Sequence, residues 1–173
     1  RLFPDADLAG ELEDTRSTSG RWVDLYNPLT GHSFPLVWAS RKQAATVNST
    51  QAAETISLHA CTFDEGIPLQ SLFSRLLSRS IKVIAYEDNT SCITAVEKGF
   101  SPALRGLKRC HRVSLGGLNE VFFGDVLDTS DGECELVHHA TATHLGDMFT
   151  KALNAPPFRE ALQRIGMRLP AEN

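Results

Sequence analysis

The stretch Ile81-Lys82-Val83-Ile84-Ala85-Tyr86-Glu87-Asp88-Asn89-Thr90 decides the fold class. Its first six residues alternate in polarity and include β-branched side chains, which predicts a strand. The strand runs into Glu87 and Asp88, and Asn89 or Thr90 is suited to cap a helix that continues to about Lys98, where Gly99 ends it. A strand followed directly by a helix is a unit from which α/β folds are built.

The segments on either side of this unit extend the same pattern. A turn through 27–31 separates two segments with strand signals, which predicts an antiparallel pair. Apolar residues recur at helical spacing after Ser49 and Thr50, either of which can cap the helix. The predicted strands are 21–26, 34–38, 81–86 and 133–137, with another that ends near Asp5, and the predicted helices include 51–63, 69–77, 90–98, 143–153 and 157–165.

This order predicts an α/β fold with a mixed sheet of about five strands and helices on both faces. Residues 103–123 carry one apolar stripe of helical spacing, which Gly116-Gly117 interrupts. Each glycine inside a helix costs roughly 1 kcal/mol relative to alanine, so we expect a kink or break at these two residues.

Length and composition indicate one folded domain over residues 1–173. The chain is 42% hydrophobic and 22% charged, which excludes a disordered polymer. Its four cysteines are dispersed, with no spacing for a zinc site, so we expect free thiols in a reducing compartment. No apolar run reaches the length of a membrane span and no signal peptide pattern is present, so we expect an intracellular protein, in cytoplasm or nucleus, without a membrane partner. The first residue is Arg1 instead of methionine, which predicts a fragment of a longer polypeptide.

The formal net charge of −4 and the sequence pI near 5.9 argue against a general nucleic-acid coat protein, which needs a basic surface. An acidic chain is still compatible with a nuclease, because a metal site is itself a group of carboxylates. Arg105, Lys108, Arg109 and Arg112 are spaced so that one helix would carry them as a basic ribbon. The ribbon is either a solvated face or a strip that contacts nucleic-acid phosphates.

Four acidic residues fall at predicted element ends or on a helix face. Asp5 ends the first strand, Glu54 lies in an early turn of the first helix, Asp88 ends the 81–86 strand and Asp147 opens a helix. Carboxylates that converge at strand ends repel one another unless divalent cations lie between them. Oxygen ligands without a His/Cys cluster favour Mg²⁺, and two such ions can hydrolyse a phosphodiester. Each residue also has an ordinary interpretation as a turn, cap or solvated helix residue.

Six short strings in a fixed order give these carboxylates a context. The strings are Asp5-Ala6-Asp7-Leu8-Ala9-Gly10, Arg16-Ser17-Thr18-Ser19-Gly20, Trp38-Ala39-Ser40-Arg41-Lys42-Gln43, Ser49-Thr50-Gln51-Ala52-Ala53-Glu54, Asp88-Asn89 and Gly146-Asp147-Met148-Phe149-Thr150-Lys151. Together they resemble the ribonuclease H domain at the C-terminal end of the polyprotein of copia-type LTR retrotransposons, and the resemblance covers nearly the whole chain.

The resemblance implies a ribonuclease H-like fold and cleavage of the RNA strand of RNA–DNA hybrids during reverse transcription. It places the catalytic and metal-binding roles on Asp5, Glu54, Asp88 and Asp147, with two Mg²⁺ ions for which Mn²⁺ can substitute. Asp7 is the rival for the first position. The implied partners are an RNA–DNA hybrid, which Arg105, Lys108, Arg109 and Arg112 would contact, and an upstream reverse transcriptase domain of the same polyprotein.

Departures from the family pattern keep other hypotheses open. Leu8, Ala52, Thr55 and Gly146 replace residues common in the family, and Pro4 is unusual in an inner strand because it lacks a ladder donor. The first alternative is a catalytically decayed remnant that acts as a structural or interaction domain beside a reverse transcriptase. A weaker alternative is an integrase-like polynucleotidyl transferase, which usually depends on three carboxylates, the last of them a helix glutamate.

Overall fold

The computed structural model describes residues 1–8, 15–44, 46–124 and 132–167. A five-stranded sheet in the order β3-β2-β1-β4-β5 forms its centre. The first three strands are antiparallel neighbours, whereas β4 pairs in parallel with both β1 and β5. The predicted mixed sheet is therefore confirmed. The strands are β1 Leu2–Asp7, β2 Thr18–Tyr26, β3 Ser33–Lys42, β4 Val83–Glu87 and β5 Cys134–His138.

Six α-helices and several shorter helical turns of the described residues connect and cover the strands. Ser49 caps α1 by accepting a hydrogen bond from the Ala52 N–H, and Asn89 caps α3 in the same way from Cys92. The α-helices are α1 Thr50–Ala60, α2 Ile67–Leu77, α3 Thr90–Glu97, α4 Leu107–His111, α5 Leu115–Phe123 and α6 Ala155–Arg164. A π-helical segment, Cys61–Gly66, joins α1 to α2, and 3₁₀ turns span Pro102–Leu104, Thr141–Thr143 and Asp147–Phe149.

The main core lies on one face of the sheet. Leu2 opposes Val23 on β2 and Ala85 on β4, so the three side chains point to the same side. They pack against buried residues of the helices, among them Leu58, Val96 and Leu118. Burial of these apolar side chains stabilises the layered arrangement.

The opposite face is aromatic and is covered by helical turns of the C-terminal segment. Phe3 stacks on Tyr86 with ring centroids 4.8 Å apart, and Trp22 stacks on Phe149 at 6.1 Å. Phe149 belongs to the 3₁₀ turn Asp147–Phe149, which the aromatic contact holds on the sheet. Helical elements thus lie on both faces, as predicted, but the second face carries short turns instead of a layer of long helices.

Pro4 occupies the centre of β1, and the strand tolerates it because of its register. Arg1 and Asp24 exchange both backbone hydrogen bonds, and bonded and non-bonded pairs alternate along an antiparallel ladder. The Pro4–Arg21 pair is therefore a non-bonded one, so the nitrogen of Pro4 faces β4 and no bond to β2 is lost. The parallel pairing with β4 places Leu2 opposite Ala85, ahead of the proline.

Two predicted helices differ from the structure. The apolar stripe of 103–123 breaks at Arg112, which has the left-handed φ of 57°, and not at Gly116-Gly117, which lie inside α5. Ser114 caps α5 by accepting from the Gly117 N–H, so a strong cap three residues after the end of α4 moved the break upstream. In place of the predicted helix 143–153 the structure has one 3₁₀ turn, Asp147–Phe149, preceded by the turn Thr141–Thr143, because packing on the sheet prevails over helix propensity there.

None of the described helices combines the length and the apolar character needed to span a lipid bilayer.

Replacing the fully buried Leu58 with alanine tests the core. We expect Leu58→Ala to lower the free energy of unfolding by about 2–5 kcal/mol, measured by denaturant unfolding, because it leaves a cavity between α1 and the sheet. Leu29→Ala is the matched control, since Leu29 is 94% exposed, and it should change stability by less than about 0.5 kcal/mol. Equal effects of the two substitutions would contradict the assigned core.

Candidate active site

Asp5 and Glu54 meet where α1 crosses the central strand. The Gln43 side-chain amide donates to the Ala53 carbonyl at 3.0 Å, and the Ser57 hydroxyl donates to the Gly20 carbonyl at 3.2 Å. These bonds fix α1 against β2, and Gly20 is the residue opposite Asp5 in the ladder. As a result both carboxylates are buried, with 1% of Asp5 and 4% of Glu54 exposed.

Asp88 joins them from the end of β4. The strand ends at Glu87, and Asp88 lies between the strand and the Asn89 cap of α3. The Thr141 hydroxyl donates to the Asp88 carboxylate at 2.6 Å and so holds this half-buried side chain. One carboxylate oxygen from each of Asp5, Glu54 and Asp88 lies within 4.8 Å of the others.

Asp147 reaches the same place because two glycines allow close backbone approach. A Cβ at Gly146 would lie 2.6 Å from the Phe3 carbonyl oxygen and 2.9 Å from the Asp5 Cβ. A Cβ at Gly20 would lie 2.5 Å from the Thr150 methyl carbon. All three distances are too short for a real Cβ atom. The absence of side chains at Gly146 and Gly20 therefore permits the turn to pack against the sheet. Gly146 departs from the family pattern, but the close approach of Phe3 and Asp5 in this chain requires a glycine at this position.

The docked turn creates a second ligand group that shares Asp5 with the first. Atoms of Asp5, His144 and Asp147 that can bind a metal lie within 4.8 Å of one another. The four carboxylates predicted from the sequence thus meet in two adjacent groups, one of Asp5, Glu54 and Asp88 and the other containing Asp5 and Asp147. Asp7, the rival of Asp5, is a member of neither group among the described residues.

Burial makes this cluster electrostatically unfavourable without a cation. Burial, and then the charges of Glu87, Asp5 and Asp88, raise the pKa of Glu54 to about 10. Burial likewise raises the pKa of Asp5, although the Thr150 hydrogen bond and Lys151 oppose the shift. The Glu54 Oε2 atom is buried and has no hydrogen-bond partner among the described residues. A buried oxygen of this kind requires a proton or a metal ion.

Thr150 and Lys151 supply the donors that the protein itself brings to the second group. The Thr150 hydroxyl donates to Asp5, and the Lys151 ammonium lies 2.7 Å from an Asp147 oxygen and 3.9 Å from an Asp5 oxygen. Although burial alone would lower the pKa of Lys151, the hydrogen bond to Asp147 and the charge of Asp5 raise it. Lys151 therefore stays charged and balances part of the negative charge. Both residues belong to the string Gly146–Lys151, but the sequence alone assigned neither of them a role.

Glu87 is a further buried carboxylate that sequence reasoning missed. It is fully buried at the end of β4, its Oε1 accepts from the Asn89 N–H at 3.1 Å, and its Oε2 has no partner among the described residues. Burial raises its pKa, and its charge contributes to the raised pKa of Glu54. The signal was present in the strand period, because Val83, Ala85 and Glu87 alternate and share one buried face.

The four basic residues do not form the predicted ribbon on a single helix. Only Lys108 and Arg109 lie within α4, whereas Arg105 precedes it and Arg112 ends it in the left-handed conformation. The helix is short because the apolar stripe turns inward at Leu104, Leu107 and Val113. All four side chains are nevertheless exposed, and none is ion-paired within the described part of the chain.

Fold and site together define an α/β domain with a buried carboxylate cluster at the carboxyl ends of β1 and β4. No family model matches the sequence. The chain is 30% identical over 166 residues, 95% of its length, to the retrovirus-related Pol polyproteins from transposons RE2 and RE1 of Arabidopsis thaliana. The predicted resemblance to copia-type Pol polyproteins is therefore confirmed: over 95% of its length the chain is similar to a segment of these polyproteins.

The chain spans about a tenth of the length of these curated relatives, since it covers 10% of each. Among solved structures, RNase H1 from the halophilic archaeon Halobacterium salinarum NRC-1 aligns with a TM-score of 0.49 and 13% identity, over 94% of this chain and 96% of that chain.

Removing the Glu54 charge tests the electrostatics of the cluster. Because the folded-state pKa of about 10 lies above the ordinary 4.5, the folded protein keeps a proton that the unfolded chain releases in this interval. Stability in EDTA should therefore fall as pH rises from about 5 to about 8. Glu54→Gln should weaken this dependence and raise the free energy of unfolding at about pH 8 by about 1–3 kcal/mol in urea titrations. A wild-type stability that rises with pH in EDTA would contradict this assignment.

Proposed function

We propose that this chain is the ribonuclease H domain of a copia-type Pol polyprotein and hydrolyses the RNA strand of RNA–DNA hybrids with two Mg²⁺ ions. One observation carries the proposal: two adjacent ligand groups share the buried carboxylate of Asp5. Paired metal ions that share a carboxylate are a common arrangement in phosphodiester hydrolysis. The similarity to Pol polyproteins over 95% of the chain supports the assignment.

The residues present fit Mg²⁺. The first group offers oxygens only, from Asp5, Glu54 and Asp88, which are ligands that hard divalent cations prefer. The buried Glu54 Oε2, which has no partner in the described part of the chain, is an acceptor that a cation would satisfy. Mn²⁺, which accepts the same ligands, is expected to substitute. The chemistry that such ions supply when bound is activation of a water molecule and stabilisation of the departing 3′ oxygen.

The side chains around the cluster have different roles in the proposed site. Asp5, Glu54 and Asp88 would hold one ion, and Asp5 and Asp147 would hold the other. Thr141 restrains Asp88 and Thr150 restrains Asp5 through hydrogen bonds, which reduces the side-chain freedom lost on metal binding. Lys151 offsets charge at Asp5 and Asp147 while the carboxylates are free of metal.

The exposed basic residues are the proposed contact strip for the hybrid. Arg105, Lys108, Arg109 and Arg112 carry positive charge on an acidic protein, and phosphate contacts of this type position a nucleic acid without reading its sequence. Leu107 of α4 packs with Ala52 of α1, the helix that bears Glu54, so the strip is structurally connected to the cluster. Discrimination of RNA from DNA would use 2′-hydroxyl contacts across the minor groove.

In the full polyprotein, the proposed setting is reverse transcription of a retroelement beside an upstream reverse transcriptase domain, inside the cell. The products would carry a 3′-hydroxyl and a 5′-phosphate. The competing hypothesis is a catalytically decayed remnant that supports its neighbours structurally. It gains support from the ion pairs that Lys151 makes with Asp147 and Asp5, because these stabilise the second group without metal.

Cleavage of a labelled RNA–DNA hybrid separates the two hypotheses. We expect Mg²⁺-dependent cuts in the RNA strand, and Asp88→Asn should reduce the rate about a thousandfold, because a lost metal ligand removes several kcal/mol of transition-state stabilisation. Asp7→Asn is the matched control and should leave the rate within about threefold, since Asp7 lies outside both ligand groups. A folded protein that cuts neither strand would favour the remnant, and strand transfer would favour an integrase-like transferase.

Salt-dependent binding tests the contact strip. With a non-cleavable hybrid, the Lys108→Ala/Arg109→Ala variant should bind more weakly and lower the slope of log K against log salt by about 0.7–0.9 per lost phosphate contact. Arg75→Ala, which removes an exposed charge from α2, is the control and should leave the slope unchanged. Unaltered slopes in both variants would assign Lys108 and Arg109 to an ordinary solvated face.

A further inference from the structure

We propose that His144 is a positioning residue that clamps the Asp147 turn to β4, and thereby sets the geometry of the second ligand group of the proposed metal site. His144 is buried, with 4% exposed, and lies three residues before Asp147. It connects two segments that each carry a proposed metal ligand. The effect of His144 on metal binding rests on the proposed function, but the clamp itself is a property of the metal-free protein.

Both ring nitrogens of His144 bind backbone groups. Nε2 lies 2.9 Å from the Tyr86 carbonyl oxygen, and Nδ1 lies 3.2 Å from the Gly146 nitrogen. A carbonyl can only accept and a backbone N–H can only donate, so the proton is on Nε2 and the lone pair of Nδ1 accepts from Gly146. The network thus assigns one neutral tautomer.

This tautomer excludes His144 as a metal ligand in the observed arrangement. The ring lies close to Asp5 and Asp147, with potential ligand atoms within 4.8 Å of one another. A histidine binds metal through a free nitrogen lone pair, however, and the lone pair of Nδ1 is engaged with Gly146. His144 therefore lies close to the carboxylates because it supports the turn that carries Asp147, as residues in the outer shell of a metal site do.

Tight packing makes the clamp rigid. The imidazole meets the ring of Phe3 edge-on with centroids 5.7 Å apart, and a Cβ at Gly146 would lie 3.0 Å from the His144 Cε1 atom. Tyr86, whose carbonyl accepts from His144, precedes Asp88 by two residues. The same imidazole is therefore linked to the strand end that leads to Asp88 and to the residue directly before Asp147.

The neighbouring histidines lack these links. His139 is bonded through Nε2 to the Thr143 hydroxyl at 3.1 Å, and burial lowers its pKa. His138 is exposed at the end of β5. His138→Ala is therefore a matched control for removal of an imidazole close to the site.

The first experiment measures the clamp without metal. Hydrogen exchange of the Gly146 amide should be slow in the wild type and at least tenfold faster in His144→Ala, because the acceptor is lost. His144→Asn keeps an acceptor near the position of Nδ1 and should restore most of the protection, whereas His144→Gln extends beyond that position and should not. Equal protection in all variants would overturn the clamp, whether or not the protein binds metal or cleaves RNA.

The second experiment measures the effect on the ligand group by calorimetric titration of Mn²⁺. His144→Ala should weaken binding about 10–100-fold, in the range found for outer-shell partners, while His138→Ala changes it less than about twofold. In an Asp147→Asn background, His144→Ala should weaken Mn²⁺ binding by less than about a further twofold, because His144 acts through Asp147. Full additivity would overturn the positioning role, as would a Mn²⁺-bound His144 nitrogen in spectra of the wild type. If the wild type shows the protected Gly146 amide but binds no Mn²⁺, the proposed metal site is refuted. The proposed effect of His144 on metal binding is then refuted as well.

Discussion

The structure depends on one electrostatic constraint, the burial of the Asp5 carboxylate at the centre of the sheet. Asp5 is 1% exposed and lies between Glu54 on one side and Asp147 on the other. Such a group is stable only with donors or a cation beside it. The chain supplies Thr150 and Lys151, and Glu54 is left with a raised pKa and with an oxygen that has no partner among the described residues. A buried acceptor therefore lies beside the carboxylates of the proposed metal site.

Backbone proximity is the second requirement, since the four carboxylates come from four distant segments. Gly20 and Gly146 remove the side chains that would separate β1, β2 and the C-terminal turn. Phe149 then stacks on Trp22, and His144 bonds to Tyr86, so that the turn is fixed by contacts on both sides of Asp147.

Several features could be predicted from the sequence because they depend on neighbours along the chain. The alternation of 81–86, the Ser49 and Asn89 caps and the order of strands and helices all have local causes, and the structure bears them out. The helix break was predicted at Gly116-Gly117 but lies at Arg112. The Ser114 cap and the inward packing of Val113 outweighed the low helix propensity of the two glycines. Glu87 was missed although it shares the strand period of the buried Val83 and Ala85, because an acidic residue type does not by itself indicate burial.

The amino-acid sequence was sufficient to establish the α/β class, the strand that contains Asp5, the strand that leads to Asp88, and the resemblance that selected the four carboxylates. Only the tertiary structure decided that these carboxylates share the space around Asp5, that Lys151 balances two of them and that His144 is held in one tautomer. The reason is physical: secondary structure reflects periodicity and local hydrogen bonds, whereas desolvation and charge coupling depend on distances between residues far apart in the chain.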